Sequence, residues 1–176
     1  MNAEHLKQDG LTHFRAERLD AAAAAFDQAA VAYQLAGDGL NAAEMRNNLC
    51  VVRMAQQDWT GALGAVEGTD AVFAAAGDRL RQAQAIANLA AVYEGLGHDA
   101  EAMTHYQAAV DLFGELGETE TRAASFKKLG ALQLKAGQQM ESIVSIRSGL
   151  RLSKTLTKDE KRLKKVIDQA GKLLGF

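Results

Sequence analysis

Histidine and carboxylate side chains at helical spacing are the first places to look for chemistry in this chain. His5, Asp9 and His13 fall at i, i+4 and i+8, which lines imidazole, carboxylate and imidazole along one helix face. That order can hold a divalent cation, but on a terminal helix it is also an ordinary solvated polar face, the reading favoured here. His98, Glu101 and His105 are a weaker set, because His98 follows Gly97 and lies in a turn. No zinc-type cysteine pair, Walker loop or glycine-rich dinucleotide fingerprint is present, and no nucleophile and base recur together. No metal, no cofactor and no enzymatic activity are expected. The single Cys50 excludes an intramolecular disulfide framework and reads as a small buried hydrophobe.

Amides and lysines recur with a fixed step. Asn48 and Asn88 are forty residues apart, and Lys128 stands one step further. A primary amide both donates and accepts, so it can pair with a peptide unit of any sequence. The same step links Gly37-Asp38, Gly77-Asp78 and Gly117-Glu118, and it links Leu49, Leu89 and Leu129. Small residues follow those leucines at Gly10, Cys50, Ala90 and Gly130, where two helices crossing at about 8–10 Å need short side chains. A period of this size marks a repeat architecture, in which each unit buries its apolar face on its neighbours.

The elements that carry these residues are helices. The chain is alanine-rich and has no proline, and runs of strand-forming residues are absent. In the third unit, Ala85, Ile86, Leu89, Ala90 and Tyr93 form one apolar stripe. Gly97 ends that helix, and Ala102, Tyr106, Ala109, Val110 and Phe113 form the next stripe. The second unit repeats this through Ala62, Val66 and Phe73, with Trp59 sealing a turn. The first unit does so through Ala22, Phe26, Ala29 and Tyr33, and the fourth through Ser142, Ile146 and Gly149. The units run over about 1–38, 39–78, 79–118 and 119–156. After them Thr157 caps a closing helix with Leu163, Val166, Ile167, Ala170, Leu173 and Leu174 on its apolar side. The expected count is nine helices: four pairs and a cap over 157–176.

The order Leu89-Ala90, Tyr93, Gly97, Ala102, Tyr106, Ala109 resembles the tetratricopeptide repeat. The forty-residue step is similar to the long-repeat branch seen in kinesin light chains and bacterial regulators. Gly-Asp takes the place of the proline common near the end of each unit. The resemblance implies an all-α, right-handed superhelical solenoid that acts as a protein–protein scaffold or adaptor. It also implies that the first helices line a concave groove for a peptide or partner helix. Asn48 and Asn88 match the amide that faces that groove; bridging between adjacent first helices is the alternative role. Helical spacing extends the groove to Asn47, Val51 and Met54 in the second unit and to Gln84 and Ala91 in the third. Lys127, Lys128, Ala131 and Lys135 continue it in the fourth.

Charge is unevenly placed. Residues 1–118 carry 7 Lys and Arg against 17 Asp and Glu, and residues 119–176 carry 13 against 5. An acidic protein partner, or weak head-to-tail self-association, suits this asymmetry. Nucleic-acid or anionic-surface binding through the basic C-terminal helices is the competing reading. Against it, only Phe176 is aromatic after Phe126, which leaves no stacking platforms. The N-terminus has no apolar signal-peptide core and no apolar run reaches bilayer length, so a cytoplasmic location without membrane insertion is expected.

Overall fold

Aspartates at a twenty-residue step, Asp38, Asp58 and Asp78, start three of the helices in the first half of the chain. The computed structural model describes residues 2–174, with side chains to Gly171, and all regular structure in that range is helical. The helices are α1 (Ala3–Arg15), α2 (Leu19–Leu35), α3 (Gly39–Ala55), α4 (Trp59–Val66) and α5 (Thr69–Ala75). They continue as α6 (Arg79–Leu96), α7 (Asp99–Glu115), α8 (Thr119–Lys135), α9 (Gln139–Leu152) and α10 (Lys158–Leu174). Asp38, Asp58 and Asp78 accept hydrogen bonds from the main-chain N–H of Asn41 (3.1 Å), Gly61 (2.9 Å) and Arg81 (3.0 Å). Each takes one of the donors that a helix start leaves without an intrahelical partner. The side chains of Lys172, Leu173 and Leu174, and Phe176 as a whole, lie outside the described residues.

The second helix expected of the second unit is broken. α4 stops at Val66, Gly68 turns left-handed at φ 78°, and α5 begins at Thr69. Thr69 Oγ1 donates to the Val66 carbonyl at 2.7 Å, and Arg46 Nη2 donates to the carbonyls of Gly64 (3.0 Å) and Glu67 (3.3 Å). The carbonyls of Gly64, Val66 and Glu67 at the break are thereby satisfied. The nine expected helices become ten segments among the described residues, with α4 and α5 sharing one repeat position.

Two turns lack the glycine that the others use. Gly97 and Gly137 have φ of 78°, whereas Glu17 and Gln57, at the matching positions, are held at 56° and 61°. A side chain in that region crowds the following carbonyl. Glu17→Gly and Gln57→Gly should each raise stability by about 1 kcal/mol, net of the entropy glycine adds to the unfolded chain. Urea midpoints of the two variants check this, and unchanged midpoints would show the turns to be unstrained.

The chain divides into two compact units, Met1–Ala102 and Met103–Phe176. In the first, Leu6, Phe26, Met45, Cys50, Val66, Leu89 and Val92 belong to one buried cluster. Phe73 packs with Ala43, Ala85 and Leu40 in a smaller one, under the Arg81 guanidinium 5.4 Å from its ring centroid. The small-residue slots are tight: a Cβ on Gly10 would overlap the Phe26 ring, and one on Gly95 would overlap Trp59. Cys50 is fully buried, and burial pushes its thiol up to about 12, which leaves it unreactive as a nucleophile. In the second unit α8 lies close against α9, because Gly130 meets Ile146 and Gly149 meets the Ala123 carbonyl. Ser142 Oγ donates to the Gly130 carbonyl at 2.7 Å across this contact. α10 then packs on α9 with Ile167 buried.

Candidate functional site

The first helices of the first unit are tied together by polar side chains. Glu44 on α3 accepts from Lys7 of α1 at 2.8 Å and from Arg81 of α6 at 2.9 Å, and Arg81 also pairs with Asp78 at 2.7 Å. Two helix turns along, Asn88 Nδ2 donates to Asn47 Oδ1 at 3.0 Å. Asn47 is buried, so its amide serves the α3–α6 contact and is not presented to a groove. Asn48 is half-buried and makes no side-chain hydrogen bond among the described residues. Val51 and Ala91 are half-buried, Gln84 is exposed, and Met54 packs against the main core cluster. The residues that the sequence groups as one lining thus divide into an inter-helix pair, a core contact and a short open strip.

In the second unit Lys127 is paired with Glu160 of α10 at 2.9 Å, whereas Lys128, Ala131 and Lys135 are exposed. Glu160 also accepts from the Thr157 N–H at 2.9 Å, and the Glu160 N–H donates back to Thr157 Oγ1 at 3.2 Å. This reciprocal cap starts α10. Lys127 first, then the Thr157 hydrogen bonds, hold the Glu160 carboxyl down at about 2, against an ordinary value of 4.5. A depressed carboxyl stabilises the fold above its unfolded value, and the effect is lost as pH falls through the folded one. Docking of α10 should therefore weaken between about pH 5 and 2, by on the order of 1 kcal/mol because water reaches the pair. Hydrogen exchange of α10 amides along a pH series checks this. The same profile in Lys127→Met would show that the pair contributes nothing.

A cleft opens on the other side of α3. It measures about 540 Å³ and lies between α2 and α4, with Ala42, Arg46, Leu49 and Arg53 of α3 along it. Val31 (54% exposed) and Leu35 (84%) stand on its α2 wall beside Asp27. The α4 wall has Gly61 and Gly64, and a Cβ at Gly64 would meet nothing within 4 Å. Arg53 is neutralised by Asp58 at 3.0 Å, while Arg46 is spent on the main-chain carbonyls that end α4. The reading of the sequence missed this cleft. Its signal was Gly64, a helix-interior glycine that no neighbour requires, whereas Gly61 makes room for the Asp58 carboxylate and Gly68 turns left-handed.

His5 and Asp9 are exposed and His13 is half-buried, and no group of three metal-binding side chains occurs among the described residues. His98 stacks on Tyr93, with ring centroids 6.1 Å apart. No helix among those residues is long and apolar enough to cross a membrane. All regular structure among the described residues is helical, and within each of the two units helices pack on their neighbours in the chain. No protein-family model matches the chain, and no curated protein matches it.

Proposed function

We propose that this chain is a tetratricopeptide-like scaffold that binds a segment of a partner protein, acting as an adaptor in the cytoplasm. The cleft beside α3 carries the reading. Helix-interior glycines cost about 1 kcal/mol each, and nothing within the protein occupies the space beside Gly64. Bare backbone there and apolar side chains at Val31, Leu35 and Leu49 suit the apolar face of a bound segment. The half-buried strip of Asn48, Val51 and Ala91 is the second surface on which a segment could lie, as the repeat resemblance implies. The right-handed superhelical stacking is part of this proposal, and solution scattering from a curved, elongated particle would support it.

A Cβ at Gly64 has open space around it, so Gly64→Phe, with its ring directed into the cleft, should not lower the melting temperature and should lose the partner captured from the source cell. Asn48→Ala should weaken capture modestly. Asn88→Ala should melt earlier instead, because it leaves the buried Asn47 without its donor. Capture retained by Gly64→Phe and by Asn48→Ala alike would sink the proposal. The competing reading, phosphate binding through the C-terminal helices, rests on Lys158, Lys161 and Lys165, which make no ion pair among the described residues. A steep loss of affinity with added salt would favour it.

A further inference from the structure

Among the described side chains, α10 leaves part of its apolar side uncovered. Ile167 and Gly171 are buried, yet Leu163 is 43% and Val166 61% exposed. Residues 163 and 166, one helical turn apart, make a narrow apolar edge. Beside it Lys158, Arg162 and Lys165, at i, i+4 and i+7, form a column of exposed cations. Arg162 has Asp159 at 3.6 Å, and Lys158 and Lys165 make no ion pair among the described residues. On the opposite flank Lys164, Arg147 and Arg151 all converge on the single carboxylate of Asp168, at 2.9, 3.6 and 3.9 Å. The exposed flank of the apolar edge is therefore cationic, while the cations across the buried Ile167 stripe are paired with Asp168.

We infer that this edge of α10 is a docking surface for an acidic amphipathic helix of a partner protein, distinct from the cleft of the first unit. Two observations choose the occupant. Phosphate binding would use the lysines but has no need of exposed Leu163 and Val166, so a nucleic acid leaves the apolar edge unexplained. A bilayer would draw on the whole apolar face, but among the described side chains Ile167 and Gly171 of that face are already spent inside the protein. Asp159, 92% exposed at the same end, would also face anionic headgroups. A helix needs only a stripe of this width, with carboxylates along its flank to meet the lysine column and a cation opposite Asp159.

The test uses the full chain and a labelled helical peptide of about five turns with a leucine stripe and glutamate flanks. Fluorescence anisotropy should show binding. A peptide of the same composition with the stripe scrambled, or one with lysine flanks, should bind at least about tenfold more weakly. Val166→Asp alone, and Lys158→Glu with Lys165→Glu, should each weaken the striped peptide by a similar factor. Their melting curves should not change, because these side chains are exposed. Equal binding of the scrambled peptide, or indifference to Val166→Asp, would overturn the proposal in favour of simple charge attraction. Failure of the striped peptide to bind would overturn it too, as would tighter, Val166-dependent binding to phosphatidylglycerol vesicles or to a single-stranded oligonucleotide.

Discussion

Leu89→Ala is expected to destabilise the protein by about 2–5 kcal/mol, the range for truncating a buried leucine. Leu89 is 9% exposed and belongs to the cluster that holds Met45, Val66 and Val92, with α6 packed on both α3 and α4. Removing its branch withdraws contacts from helices of two successive repeats at once. Where in the range the value falls depends on how far the neighbours collapse into the space. α4 is only 8 residues long and is separated from α5 by the left-handed Gly68, so it has fewer helical hydrogen bonds to resist a small shift towards the cavity than a full-length helix. The lower half of the range is the expected outcome. Leu129→Ala, in the tight α8–α9 contact where Gly130 and Gly149 bring the backbones together, has less room to relax and should cost more. Urea denaturation of both variants measures the difference. A midpoint unchanged by Leu89→Ala would show that the repeat register is wrong.

The turns, caps and close-approach positions were legible because each depends on one residue type with one physical role. Thr157 caps α10, Gly97 takes the left-handed turn after α6, and Gly10 and Gly130 stand where a Cβ has no room. Relations between repeats were less legible. Asn88 meets Asn47 and not Asn48, an offset of forty-one residues. Which of two adjacent asparagines turns inward depends on a rotation of α3 about its own axis that a forty-residue period does not fix. The row Lys7, Glu44, Arg81 runs at steps of thirty-seven, so no comparison at the repeat period would align it. Lys127 was read as groove-facing, yet its partner Glu160 lies on α10, beyond the last repeat. The cleft escaped for another reason: it is made by side chains that are missing, and apolar periodicity records only those that are present.

Phe26→Ala should also cost about 3–5 kcal/mol, and its coupling to Gly10 gives a sharper test of how the first helix pair is built. Phe26 is 1% exposed, and its ring lies where a Cβ on Gly10 would come within 2.7 Å. Gly10→Ala by itself gains about 1 kcal/mol of helix propensity but must push the ring aside, for a net loss of about 1–2 kcal/mol. Once Phe26→Ala has removed the ring, the overlap is gone and the propensity gain remains. Gly10→Ala should then change sign and stabilise. Urea midpoints of the four proteins of the cycle measure this, with an expected interaction of about 2–3 kcal/mol. Additive values would mean that Gly10 is small for a reason other than the ring. The consequence reaches the cleft as well, because Asp27, Ala30 and Val31 follow Phe26 on α2 and line it. If the ring sets how α2 rests on α1, Phe26→Ala should weaken partner capture although Phe26 is absent from the lining. The double variant should not restore capture, since a single methyl group cannot hold α2 where the ring did.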